Sequence, residues 1–90
     1  VTIQEFLDAH LPTRKPKDGD VQRAWPGWIA NLYISATGND ITIAEVTAAM
    51  QAAGYAATLI SFFVSEKELG RVDRRYAEKM VRNRKDGKGV

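Results

Sequence analysis

Three times in this chain a hydroxyl side chain is followed, three residues on, by a glutamate: Thr2-Ile-Gln-Glu5, Thr42-Ile-Ala-Glu45 and Ser65-Glu-Lys-Glu68. At that spacing the hydroxyl oxygen accepts a hydrogen bond from a free amide of a helix's first turn. The carboxylate reaches back to the amide of the capping residue. Each device is bracketed by an apolar pair, Val1 with Phe6, Ile41 with Val46 and Val64 with Leu69. That is the spacing at which two side chains clamp across a helix start. The chain is therefore expected to start helices near residues 2, 42 and 65.

The stops are marked as well. Gly38, Gly54 and Gly70 each follow a helical pattern, and glycine closes helices because it takes a positive φ without a Cβ clash. The first helix is expected over Ile3 to His10, ending before Leu11-Pro12, since a residue preceding proline avoids helical angles. Residues 12–19 read as a polar loop. A second helical region runs from about Asp20 to Thr37, with Pro26 interrupting it. Its main part, Gly27 to Ala36, places Ile29, Leu32, Tyr33 and Ala36 on one face. A third helix, Ile43 to Ala53, buries Val46, Ala49, Met50 and Ala53. The last starts at Glu66, breaks at Gly70 and resumes from Asp73 to about Arg84, with Val72, Tyr76, Met80 and Asn83 inward.

Residues 55–64 (YAATLISFFV) are ambiguous. Aromatic and β-branched residues permit a buried strand, whereas the flanking glycine stop and capping box favour a helix. The reading adopted is helix, with strand as the alternative. These residues close a forty-residue stretch, Trp25 to Val64, in which Asp40 and Glu45 are the only charged side chains. Most of that apolar surface is expected in the core, with the rest available as a subunit or partner interface. Trp25 and Trp28 are assigned to the core.

Several chemistries are excluded or unsupported. With no cysteine in 90 residues there are no disulfides, thiolate nucleophiles or cysteine-ligated metals. His10 is the single histidine, so a multi-histidine metal site is ruled out. It is expected to sit at a helix end where the dipole favours a cation. No phosphate-binding glycine loop or nucleophile elbow occurs. The acid pairs Glu66/Glu68 and Asp18/Asp20 read as capping and solvation. No enzyme activity and no cofactor are expected. The N-terminus has no long apolar run, so no signal peptide is expected. The most apolar stretch, Tyr55 to Val64, is about half the length a membrane-spanning helix needs, so no membrane span is expected; the lack of cysteine fits a cytoplasmic setting. The first residue is not Met, which suits a piece of a longer protein.

The charge is unevenly placed. Residues 1–70 carry five basic and eight acidic side chains, a net of −3, while residues 71–90 carry eight basic and three acidic, a net of +5. A cationic segment on a mildly acidic body points to a polyanionic partner. A short helix from Glu66 to Leu69, a turn at Gly70-Arg71-Val72, and a helix capped by Asp73 and bearing arginines resemble a helix-turn-helix DNA-binding domain. The resemblance implies a helix in the major groove with flanking cations on phosphates. Its contact residues would be Arg71, Arg74, Arg75, Lys79, Arg82, Arg84 and Lys85.

The expected fold is thus all-α: one domain over residues 1–85, a compact bundle of four to five short helices with a helix-turn-helix-like C-terminal part. Residues 86–90 are expected to form a frayed basic tail. The alternative is a winged helix, in which residues 55–64 pair as a strand with a segment around Tyr76 to Arg82. The helix beginning at Thr42 would then face DNA, with the basic segment as wing. The expected function is a DNA-binding module of a larger recombination, replication or regulatory protein. The competing function is a helical protein–protein or oligomerisation domain using the apolar centre.

Overall fold

Both threonine caps form as their spacing requires. At the start of α1 (Ile3–His10) the Glu5 amide donates to Thr2 Oγ1 at 3.1 Å, and the Thr2 amide donates to Glu5 Oε1 at 2.8 Å. At the start of α3 (Ile43–Ala53) Glu45 and Thr42 exchange the same two bonds, each at 3.1 Å. The computed structural model describes residues 1–76. Its elements run α1, β1 (Gln22–Ala24), α2 (Pro26–Thr37), α3, β2 (Phe62–Val64) and α4, which is helical over residues 66–76. The expected Met80, Asn83 and the tail lie outside the described residues.

Two of the expected boundaries move, for one reason. Pro26 does not interrupt α2; it is its first residue, where the missing N–H would have had no helical partner and the ring presets φ. The chain before it is a strand instead of a helical turn. β1 pairs antiparallel with β2 in the register Gln22↔Val64, Arg23↔Phe63, Ala24↔Phe62. Residues 55–64 are accordingly not a helix. Phe63 donates to the Ala56 carbonyl and Thr58 to the Ser61 carbonyl, both at 2.8 Å, so residues 57–62 form a tight hairpin bridged at Ala57↔Phe62. The strand alternative holds for residues 62–64, but the partner is the segment before α2. The expected partner's first residue, Tyr76, is helical, and residues 77–82 lie outside the described residues.

The helices close over this small sheet. Phe6 and Leu7 of α1, Ile29 and Leu32 of α2, Val46 and Met50 of α3, Val64 of β2 and Leu69 of α4 are all at most 2% exposed. Gly38 and Gly54 end α2 and α3 with φ of 76° and 90°, as their sequence positions imply. The two tryptophans divide. Trp28 packs against the core and donates its Nε1–H to Asp73 Oδ1 at 2.8 Å, whereas Trp25 is 54% exposed. Asp73 therefore serves Trp28 and caps no helix.

No turn occurs at Gly70-Arg71-Val72. The backbone is helical from residue 66 to residue 76, and Gly70 keeps a negative φ. Glycine inside a helix costs about 1 kcal/mol relative to alanine. Here the caps at the start of α4 and the burial of Leu69 and Val72 outweigh that cost.

The cap of α4 is more than the local box. Ser65 Oγ accepts from the Glu68 amide at 3.3 Å and donates to Asp20 Oδ2 at 2.7 Å. Asp20 Oδ1 accepts from the Lys67 amide at 2.9 Å, and the Asp20 carbonyl accepts from the Glu66 amide at 3.3 Å. Glu68 does not reach back to Ser65; its carboxylate takes both the amide and the hydroxyl of Thr13. The loop over residues 12–19 is thereby stitched to α4. Arg14 stitches it further, to Asp8, the Leu11 carbonyl and the Tyr55 hydroxyl. Burial pushes the Tyr55 phenol up to about 12, and the phenol donates to the Leu11 carbonyl.

Two outcomes are expected. Gly70→Ala raises stability by about 0.5–1 kcal/mol in chemical denaturation, because the backbone there is helical and the only nearby atom is the flexible end of Arg74, at 3.4 Å. A loss of stability would mean that the chain turns at Gly70. Asp20→Ala lowers the denaturation midpoint at neutral pH. The hydrogen bonds from Ser65 and the Lys67 amide hold the Asp20 carboxyl below its ordinary value. Its contribution is therefore present above about pH 4 and fades as pH falls through the folded-state value. The gap between wild type and Asp20→Ala should close in acid.

Candidate nucleic-acid interface

α4 has two chemically distinct sides. Leu69 and Val72 are buried and Tyr76 is half-buried against the core. Lys67, Arg71, Arg74 and Arg75 are exposed. At 3.6 residues per turn these four cations fall within an arc of about 100°, centred opposite the buried stripe. The helix was placed by its apolar side and its caps, and the cations follow from the phase.

Of the seven residues expected to contact DNA, the described residues contain Arg71, Arg74 and Arg75, and all three lie on this one face. Lys79, Arg82, Arg84 and Lys85 lie outside the described residues. Among the described residues the one ion pair joins Arg14, in the loop after α1, to Asp8 of α1, so no described carboxylate engages the α4 arginines. The Arg75 guanidinium lies over the Tyr76 ring, 5.4 Å from its centroid. Lys67, assigned no contact from the sequence, joins the stripe one helical turn before Arg71.

Two concavities border these cations. One lies along α4 between Glu66, Lys67, Gly70, Arg71 and Arg74. The other, of about 240 Å³, separates the end of α1 from α4 and is lined by His10, Pro12, Glu68, Arg71 and Arg75 among others. His10 is not simply a cation welcomed at a helix end. Its ring packs against Phe6 at 4.7 Å and Tyr76 at 5.6 Å. Burial first, and the Arg75 cation second, hold the imidazole below its ordinary value.

A second surface has the opposite character. Trp25, Ile43 and Ile60 are 54%, 60% and 60% exposed, and Leu59 at the hairpin tip is fully exposed. They border a groove of about 410 Å³ between the start of α2, α3 and the hairpin, and among the described residues no charged side chain lines it. The exposed residues of α3 include Ile43, Ala44, Glu45, Ala48, Gln51 and Ala52, with no cation. Sequence reasoning put most of this surface in the core; the signal it lacked was the hairpin, which turns Leu59 and Ile60 outward.

Among the described residues no group of three or more His, Asp or Glu side chains could hold a metal ion, and no helix is long and apolar enough to cross a membrane. Comparison with family models, with curated proteins and with solved structures finds no match for this chain.

Proposed function

We propose that this domain is a DNA-binding module that meets the phosphates of duplex DNA with the cationic face of α4. The observation that carries the reading is the stripe itself. Lys67, Arg71, Arg74 and Arg75 are exposed on the side of α4 away from its buried residues, with no described carboxylate engaging the arginines. Affinity for nucleic acid comes largely from cations that displace counterions from phosphates. Lys79, Arg82, Arg84 and Lys85 add cations in the sequence that follows.

The order of elements offers a second frame for the same partner. α2 and α3 are joined by a short connection, and a hairpin follows α3, an order similar to that of winged-helix domains. In helix-turn-helix domains the second helix of the pair enters the major groove. In this chain that helix is α3, whose exposed face carries Glu45 and no cation. A face without cations gains nothing from counterion release, so α4 is the better phosphate-binding surface.

The uncharged groove beside Leu59 supports a different function, a protein–protein or self-association domain. Apolar burial there would stabilise a complex that salt does not weaken. The two functions separate by their response to ionic strength.

For DNA, the logarithm of affinity should fall with the logarithm of salt with a slope of about −4 if four phosphates are contacted. Replacing one arginine of the stripe by glutamine should lower that slope by about 1. The triple reversal Arg71→Glu, Arg74→Glu, Arg75→Glu should abolish retardation of duplex DNA with the far-UV circular dichroism unchanged. Retained binding by a folded triple variant removes α4 as the contact surface. For self-association, sedimentation should show a concentration-dependent dimer that persists at high salt and disappears in Leu59→Ser, Ile60→Ser. A monomer at every concentration removes self-association.

A further inference from the structure

The cleft between the end of α1 and α4 gathers three nitrogen-bearing side chains that share no acceptor among the described residues. Arg71 and Arg75 stand one helical turn apart on α4, and His10 closes the cleft from α1. Glu68 is the one carboxylate in the lining among the described residues, and both of its oxygens are engaged by Thr13. The imidazole is fixed between Phe6 and Tyr76, and the Arg75 guanidinium is steadied over the Tyr76 ring. Pre-positioned donors of this kind bind tetrahedral oxyanions by charge-assisted hydrogen bonds.

We infer that this cleft binds one phosphate group of a polyanion, held by Arg71 and Arg75, with protonated His10 as the third donor. The inference rests on the reading of α4 as a polyanion-binding face and names one phosphate position and its control by pH. In the free protein the His10 proton is disfavoured by burial and by Arg75. Among the described residues the other titratable or charged groups around the ring are Arg71, Glu68 and Tyr76 on α4 and, on its own helix, Asp8, which is paired with Arg14. An oxyanion in the cleft offsets the Arg75 field and draws the proton onto the ring. Linkage is reciprocal, so a proton on His10 tightens the anion by the same factor. No other side chain of this sequence ordinarily changes charge between pH 5.5 and 7.5, because His10 is the only histidine and there is no cysteine.

The test follows the His10 ring resonances by NMR across that pH range with and without sulfate, whose charge does not change there. Sulfate should move the ring titration to higher pH, and Arg75→Gln should abolish that displacement. Sulfate affinity should be about fivefold higher near pH 5.5 than near pH 7.5, as expected of a charge-assisted contact open to solvent. His10→Gln should flatten this dependence. Because His10 also packs against aromatic rings, the wild-type titration decides if that variant unfolds. A ring titration unmoved by sulfate overturns the inference, as does a displacement that survives in Arg75→Gln. Duplex DNA run in parallel separates the two readings. DNA bound without any displacement of His10 leaves the DNA reading standing and removes the cleft. Displacement by sulfate without DNA binding keeps the cleft as an oxyanion site and removes DNA as its partner.

Discussion

The N-terminus of α4 is held by a carboxylate forty-five residues upstream of its capping serine. Asp20 receives the Ser65 hydroxyl and the Lys67 amide, and its own carbonyl receives the Glu66 amide. This one residue fixes three things. It ends the loop over residues 12–19, it precedes β1, and it sets where α4 begins relative to the sheet. Because β2 runs into Ser65, the β1–β2 register and the α4 cap are two parts of the same junction. The rotation of α4 about its axis follows, and with it the side on which the arginines emerge. A charged face on a helix is of use only if the helix cannot roll, and here Leu69 and Val72 beneath it and Asp20 at its end prevent rolling.

What the sequence showed and what it hid divide along the range of the interaction. α1 and α3 run over the residues expected, because a capping box, a proline and a glycine are all local signals. β1 was invisible. Three residues, Gln22 to Ala24, have too little pattern of their own and become a strand only because residues 62–64 are there to pair with. The hairpin over residues 57–62 depended on the same pairing, so one missed partner misread two segments. Gly70 misled for the converse reason. Its local preference is to stop a helix, and the distant cap and core contacts of α4 overrode it.

The candidate site was legible in composition more than in geometry. The gathering of Arg71, Arg74 and Arg75 in one segment could be counted, and helical phase puts them on one side once the helix is known to be continuous. Lys67 went unnoticed as a member of the stripe because the expected turn at Gly70 separated it from the rest. His10 could not be placed at all from sequence, since its neighbours Arg75 and Tyr76 lie more than sixty positions away. The outward face of the hairpin was equally hidden, because it depends on which way a turn points.

The electrostatics of the cleft explain why a single histidine can matter there. Arg71 and Arg75 contribute two positive charges and Glu68 one negative. The carbonyl end of α1 adds a partial negative charge of about one half. The residual is only about half a positive charge when His10 is neutral. A proton on the imidazole raises it to about one and a half, a threefold change from one group. A cleft crowded with arginines would bind anions at every pH and respond little to one more charge. A cleft nearly balanced between α4's cations, Glu68 and the end of α1 is poised, so the protonation state of its one titrating ring sets how strongly positive it is. The same balance accounts for Arg71 and Arg75 standing together without a protein counter-ion of their own among the described residues, since the end of α1 already relieves part of their mutual repulsion.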